Sequence, residues 1–375
     1  MKTPPLTADE RKQLRKDCAI VVPGFAFVSA ANDFRQVADW CEAQGVEHDV
    51  YGEGALIDGF ERKIADLLGQ AAAVFMPSGI MAQLAALRIW TEAAKLPRFG
   101  MHPTSHLALH EEEAHAALLQ LHGVPVGDRL RPLRATDLEA CRQPLACLLV
   151  ELPIREAGGQ LPSWDELEAL KAAARARGLP LHMDGARLWE CGPHYGRPYA
   201  EIAAGFDSVY VSVYKGLGGL AGAVLAGPED FIVQARRWRR RMGGTLVHLS
   251  PMVASAAMRL DQRLALMPAL VERTRSLAAG LPVSACLRAN PAQPPTNMFH
   301  LYLDAPADAA ISLRDEIAAE TGCWLFDRAR PAEVPGWSLS EIYVGDRLLA
   351  ADHARVVAAF AQLDAALRTR EPGSR

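Results

Sequence analysis

The spacing of apolar residues changes period several times along the chain, and each change marks an element. Runs that are apolar without alternation stand at AAAVFM (71–76), CLLVELP (147–153), LPLHM (179–183), DSVYVSV (207–213) and LAGAVLAG (220–227). Runs of this length with no polar side read as strands covered on both faces. Between them the period lengthens to that of a helix. YGEGALIDGFERKIADLLG (51–69) opens on a glycine-rich turn, places Phe60, Ile64, Leu67 and Leu68 on one face, and stops at Gly69. IMAQLAALRIWTEAA follows Pro77, Ser78 and Gly79 as a second helix, and Ser163 with Glu166 forms a capping box for a helix to about Ala174. This alternation predicts an α/β fold with a largely parallel sheet. Such sheets bind ligands beyond the carboxyl ends of their strands.

The flanks are less regular. Residues 1–17 read as a polar arm with one or two helical turns, AIVVPGFAF (19–27) as a short apolar piece broken by Pro23 and Gly24, and 32–43 as a helix. PEDFIVQARRWRRRMGG is a helix ended by Gly243 and Gly244, and 248–279 is helical again, long enough to cross between domains. Beyond Pro294, strand-like MFHLYL (298–303) and SLSEIYV (338–344) alternate with helix-like 310–320 and 350–368. A chain of 375 residues exceeds one ordinary core. The expected division is an arm and part of a small domain (1–45), a large domain (46–250), and an interdomain helix with a small C-terminal α/β domain (251–375).

Net charge of −4 leaves no nucleic-acid footprint. The one basic run, RRWRRR (236–241), reads as a solvated helix face, or else as a subunit contact or anion site. Seven scattered cysteines without a C-x-x-C pair argue against a disulfide framework or a zinc site and fit a reducing cytosol. The charged start MKTPPLTADERKQLRKDC is followed by neither a signal-peptide core nor a membrane span, so the expected location is cytoplasmic. HPTSHLALHEEEAHAALLQLHG (102–123) is rich in histidine. His106 and His110 would share a helix face beside Glu111. A metal site from His102, His106 and His110 is the alternative, but no H-E-x-x-H pattern is present and no metal is expected. Glu111–Glu113 read as a solvated helix face, while one histidine could stack on a planar cofactor.

The candidate chemistry sits at LHMDGARLW (181–189) and SVYKGLGG (212–219), which put Asp184 after one strand and Lys215 after the next. A lysine amine can condense with an aldehyde cofactor and later move protons. A carboxylate against a pyridine nitrogen keeps that nitrogen protonated, so the ring can accept electrons from a broken bond at Cα. A phosphate would need a helix N-terminus and hydroxyls, for which Ser78, Gly79 and Ser212 are the candidates. Arg187 could hold a substrate carboxylate. Gly216, Gly218 and Gly219 would allow close backbone approach.

Together, YGEG…ERKIADLLG…AAAVFMPSGIMAQLAAL, LHMDGARLW, DSVYVSVYKGLGGLAGAVLAG and RRWRRRMGG resemble the threonine aldolase family, within the beta-eliminating lyases related to aspartate aminotransferase. The resemblance covers roughly residues 48–260 well. It implies a pyridoxal 5′-phosphate-dependent transferase-like large domain with a mainly parallel mixed sheet, plus a small C-terminal α/β domain. It further implies that Lys215 attaches the cofactor, Asp184 pairs with its ring nitrogen, and Ser78, Gly79 and Ser212 bind its phosphate. Arg187 would bind the substrate carboxylate. His106 would stack on the ring, with Glu111 five residues later as in the family. The basic helix would lie near a neighbouring subunit's phosphate, in a homodimer or homotetramer with active sites at subunit interfaces.

Departures from the family pattern bear on the reaction. Ile80 replaces the threonine after S-G, and Ile154, followed by Arg155 and Glu156, stands where a second histidine is usual. An early S-D-T motif and a C-terminal arginine clamp have no counterpart. The resulting expectation is a lyase that cleaves a β-hydroxy-α-amino acid of the L-threonine or L-allo-threonine type to glycine and an aldehyde. His106 or His110 would be the base, and Arg155 a replacement carboxylate ligand. Alternatives on the same scaffold are β-elimination, transamination and racemisation, and beyond them a non-catalytic relative kept for binding.

Overall fold

The structure, a computed structural model, describes residues 6–26 and 28–369. The first five residues of the expected arm and Phe27 lie outside the described residues. Two compact units are present: one from Val28–Ala157 and Leu161–Met267, the other from Met1–Phe27, Gly158–Gln160 and Pro268–Arg375. Among the described residues the strands are, in chain order, β1 (Ile20–Val21), β2 (Ala72–Met76), β3 (Arg98–Met101), β4 (His122–Pro125), β5 (Leu148–Glu151), β6 (Leu181–Gly185), β7 (Ser208–Ser212), β8 (Ala223–Gly227), β9 (Leu287–Asn290), β10 (Met298–Leu303), β11 (Cys323–Trp324), β12 (Arg330–Pro331) and β13 (Ser338–Tyr343).

The larger unit is built on a seven-stranded sheet of order β2-β8-β7-β6-β5-β3-β4. All its pairings are parallel except those of β8 with β2 and β7. Because β2 opposes β8 and β8 opposes β7, β2 runs in the same direction as the parallel strands. The chain therefore leaves β2, β3, β4, β5, β6 and β7 at one edge of the sheet, and the candidate residues sit at that edge. Strands β5, β6, β7 and β8 are buried at every position, as their unbroken apolar runs predict. The helices Gly79–Ala94 and Glu229–Arg241 cover one face, where Ala82, Ala85, Ala86, Ile89, Phe231, Ile232 and Ala235 pack with Val74, Tyr210 and Leu225.

The helix Ala55–Leu68 ends on Gly69 in the left-handed region (φ 63°), as its sequence predicts. The expected helix over 248–279 is two helices, Ser250–Ala257 and Leu260–Gly280. Asp49 caps the first of them, accepting from the N–H groups of Leu249 and Ser250 (both 2.7 Å). The arm helix Ala8–Asp17 is longer than one or two turns, because Thr7 and Glu10 close a capping box.

The smaller unit holds an antiparallel sheet of order β12-β13-β10-β9 and the parallel pair β1-β11. The helices Ala307–Thr321 and His353–Thr369 contribute Ala310, Ile317, Phe360 and Leu363 to its core, with Phe299, Leu301 and Ile342 from the sheet.

The basic run is only partly a solvated face. Arg237, Arg240 and Arg241 are exposed, Arg236 pairs with Glu61, and Arg239 is buried, with Nη1 donating to the Phe75 carbonyl (2.9 Å). Glu61 in turn accepts from the Phe75 N–H (2.7 Å), so both backbone groups of Phe75 are held just before the strand gives way to Pro77 and Ser78. Replacing Arg239 by alanine strands that carbonyl and should cost about 1.5–3 kcal/mol, the range for a charged hydrogen bond. A lowered urea midpoint with an unchanged slope would be the observation to expect.

Candidate active site

At the carboxyl edge of the large sheet lies a cavity of about 330 Å³. Ser78, Gly79, His106, Asp184 and Lys215 line it, together with Ile80, Gln83, Glu111, Tyr210, Tyr214 and Gly222. Five of the residues singled out from sequence thus meet in one place. Asp184 and Gly185 stand inside β6 rather than after it. In register, Glu151, Asp184 and Tyr210 are neighbours on three adjacent strands, and so share one face of the sheet.

The electrostatics of this row are set by burial. Asp184 is 2 % exposed, and desolvation pushes its pKa up while Lys215 and the Ala186 N–H (3.1 Å) pull against the rise. For Glu151 the opposing pull of the Arg155 N–H, Lys215 and Arg187 is outweighed. Desolvation and the neighbouring Asp184 raise it to about 8, although its Oε1 accepts the Arg155 N–H (3.1 Å). Near neutral pH the proton of this row is therefore favoured on Glu151. Desolvation, with Arg187 next, lowers the Lys215 pKa, which favours the free amine, the nucleophilic form.

Ser78 caps the helix Gly79–Ala94, its Oγ accepting the Met81 N–H (3.2 Å). A β-carbon at Gly79 would stand 2.3 Å from the Tyr210 hydroxyl oxygen, so only glycine lets the helix start this close to the sheet. The N–H groups of that first turn and the helix dipole face the cavity end that Ser78 and Gly79 line. Ser212 is buried outside the lining, and its Oγ accepts from the N–H groups of Tyr214 and Lys215 (both 3.3 Å), shaping the turn that delivers the lysine. Gly216, Gly218 and Gly219 also lie outside the lining. Gly219 is needed because a β-carbon there would meet the Val213 carbonyl at 2.7 Å. Arg187 and Arg155 flank the cavity and act on Lys215 as charges.

The histidine-rich segment folds differently from the expected long helix. Its first helix is only His106–Leu109, and Glu112 and Glu113 adopt left-handed backbone (φ 47° and 54°). That reversal turns Glu111 inward. It is 6 % exposed and accepts from His106 Nδ1 (2.9 Å), so it is not part of a solvated helix face. His110 caps the short helix outside the lining, with its ring centroid 5.2 Å from that of His106. His102 is a buried structural residue, bonded to Thr104 Oγ1 (2.8 Å) and to the carbonyls of Asp128 and Arg131 (2.8 and 3.0 Å).

Sequence reasoning missed Gln83. It is buried in the helix Gly79–Ala94 above the sheet face that carries His182, two residues before Asp184. Trp90 Nε1 donates to Ser208 Oγ (2.8 Å), Ser208 Oγ to His182 Nδ1 (2.8 Å), and His182 Nε2 to Gln83 Oε1 (2.7 Å). Burial lowers His182 to about 3, so the ring is neutral and can make this chain of bonds. Gln83 Nε2 is left buried, without a hydrogen-bond partner, in the cavity wall. The signal was a glutamine five positions past Ser78 on an otherwise apolar helix face.

Comparison with known proteins matches residues 35–304 to the beta-eliminating lyase family. Low-specificity L-threonine aldolase 1 of Arabidopsis thaliana is 28% identical over 277 residues, 70% of this chain and 76% of that protein. A crystallised L-allo-threonine aldolase candidate from Listeria monocytogenes EGD-E superposes with a TM-score of 0.89 at 36% identity, covering 94% of this chain and 98% of that one. The serine palmitoyltransferase of Sphingomonas wittichii shares the fold at 18% identity and a TM-score of 0.69, over 90% of this chain and 85% of its own.

A sign follows for stability. Glu151 has a folded pKa raised to about 8 above an ordinary unfolded value of about 4.3. Its contribution to stability is full below the unfolded value and is lost as pH rises through the folded one. In cofactor-free protein, Glu151→Gln should remove the part of the fall in melting temperature between about pH 4 and 8 that this group causes. A variant whose melting temperature falls as steeply as the wild type would show that Glu151 is already ionised.

Proposed function

The chain belongs to the beta-eliminating lyase family and is a pyridoxal-phosphate-dependent lyase of the threonine aldolase type, and from that premise we propose that it cleaves a β-hydroxy-α-amino acid, of the L-threonine or L-allo-threonine kind, to glycine and an aldehyde. The observation that carries this reading is the meeting of Lys215, Asp184, His106 and the Ser78–Gly79 helix start around one cavity. The residues present fit the cofactor. A carboxylate buried beside a lysine suits a protonated ring nitrogen, a helix N-terminus suits a phosphate, and the unpartnered Gln83 amide offers one further donor. When bound, pyridoxal phosphate supplies an electron sink for the pair left at Cα when a bond there breaks.

The chain's own groups do the rest. Lys215 holds the cofactor and afterwards moves the proton at Cα, for which its lowered pKa suits it. Asp184 would face the ring nitrogen from the cavity wall. Ser78 and the helix start at Gly79 would hold the phosphate, while Ser212, sequestered outside the lining, shapes the turn that carries Lys215. His106, steadied by Glu111, would supply a flat surface for the ring. Arg187 and Arg155 hold the substrate carboxylate, and His106 or His110 accepts the β-hydroxyl proton. The chain works as a homodimer or homotetramer with active sites at subunit interfaces. Support for assembly comes from Val50, Tyr51, Leu246 and Val247, exposed apolar side chains on two loops joined by the Tyr51 N–H to Val247 carbonyl bond (2.9 Å). We place it in the cytoplasm, where the seven free thiols suit a reducing environment. Among the described residues no helix is long and apolar enough to cross a membrane.

Incubation with L-threonine and L-allo-threonine should yield acetaldehyde and glycine in equal amounts. 2-Oxobutyrate in place of aldehyde would move the assignment to elimination, and 3-hydroxy-2-oxobutyrate would move it to transamination. The purified holoenzyme should be yellow, absorbing at about 410–430 nm, and Lys215→Ala should lose both that band and turnover. Gln83→Leu should keep the band but weaken cofactor retention by roughly tenfold, the equivalent of one buried hydrogen bond. Equilibrium dialysis against free pyridoxal phosphate measures this, and unchanged retention would remove Gln83 from the site.

A further inference from the structure

Ile154 stands where a second histidine was expected; it is 2 % exposed, and its aliphatic side chain offers no proton acceptor. The two residues after it take another course. The chain turns as a short 3₁₀ segment, Arg155–Ala157, which brings Glu156 back toward the histidine-rich loop. There His110 Nε2 donates to Glu156 Oε1 (3.0 Å), and Arg155 Nη1 donates to the same oxygen (3.2 Å). The Glu156 side chain is 10 % exposed and that of His110 is 37 %. One partner is thus largely buried while the other reaches solvent.

Two histidine–carboxylate pairs therefore stand together, His106 with Glu111 and His110 with Glu156, their rings 5.2 Å apart and tilted by 48°. They are not equivalent. His106 lines the cavity, whereas His110 is beside it and outside the lining. A carboxylate on Nε2–H fixes the tautomer, leaving Nδ1 as the basic nitrogen, and it stabilises the ring once protonated.

We propose that Glu156 is a positioning residue which, steadied by Arg155, sets the tautomer and orientation of His110 so that His110 takes the β-hydroxyl proton of the substrate. The proposal deepens the retro-aldol reading and rests on it. In the step, the O–H bond breaks with its proton passing to His110 Nδ1, and the oxygen–hydrogen bonding pair becomes the second bond of the aldehyde carbonyl. The Cα–Cβ bond breaks with its pair going to the cofactor sink, and His110 later returns its proton to solvent. The charged groups around the ring are Glu156, Arg155, His106 and Glu111. This arrangement supplies, from the loop after β3 and the turn after β5, the function that Ile154 does not.

The test uses the pyridoxal-phosphate-loaded enzyme and the variants Glu156→Gln, Glu156→Asp and His110→Gln. Aldehyde release from L-allo-threonine should fall on the order of 10²-fold in His110→Gln and by roughly tenfold or more in Glu156→Gln. The loss should be in kcat rather than KM, with partial recovery in Glu156→Asp. Exchange of a glycine α-proton with deuterated water needs no hydroxyl base and should persist in all three variants. Imidazole proton NMR, assigned with His110→Gln, should show the His110 ring resonances displaced in Glu156→Gln, since the carboxylate that holds its Nε2–H is gone. Unchanged kcat and an unmoved His110 resonance in Glu156→Gln would overturn the proposal. If wild-type enzyme exchanged the glycine proton but released no aldehyde, the retro-aldol reading would fail instead, whatever the NMR showed of the pair.

Discussion

The site depends on one buried balance of charge, Asp184 against Lys215. Each group alone would be expensive to bury, and each shifts accordingly, the acid upward and the amine downward. Together, in a cavity walled by Tyr210, Gly79 and Gly222, they can keep opposite charges or exchange them for a bound cofactor's. Glu151, their neighbour in register, avoids adding a second negative charge by keeping its proton. Arg187 and Arg155 add positive charge on the lysine's side and so help hold it as the amine.

Strand direction is what assembles these groups. With β2 brought parallel to the others by way of the reversed β8, six strands deliver their following loops to one edge. The helix Gly79–Ala94 then serves two ends at once. Its first turn presents N–H groups, and one turn on, Gln83 is held by a neutral chain of hydrogen bonds that runs through His182 and Ser208 to Trp90. Below it, Glu61 and Arg239 hold both backbone groups of Phe75, so the strand that feeds this helix cannot slip. Part of the basic run is thereby spent inside the fold.

The histidine-rich loop shows how a reaction can be kept while a residue is lost. Two consecutive left-handed glutamates are strained backbone, at a cost of about 1–2 kcal/mol each. The gain is a Glu111 side chain aimed inward at His106. The same tight loop leaves His110 beside the partner ring, where a carboxylate from another strand end can reach it. The imidazoles are thus arranged by two short turns rather than by a shared helix face.

Much of this was legible in the residues themselves. Unbroken apolar runs marked β5 to β8, because strands covered on both sides tolerate no polar position, and capping residues marked where helices begin. The order of D-G-A-R before S-x-x-K-G-L-G pointed to Asp184 and Lys215, since few other uses need an acid and a lysine at successive strand ends. What sequence could not supply was distance between segments far apart in the chain. Whether Glu111 faced water or His106 turned on two backbone dihedrals. Whether Arg239 was a surface charge or a buried brace turned on how the helix Glu229–Arg241 lies against β2. The Asp184–Lys215 pair was fixed by local pattern, whereas the partners of Gln83 and His110 were decided by tertiary packing, because a hydrogen bond is set by where two side chains end and not by where their residues fall in the chain.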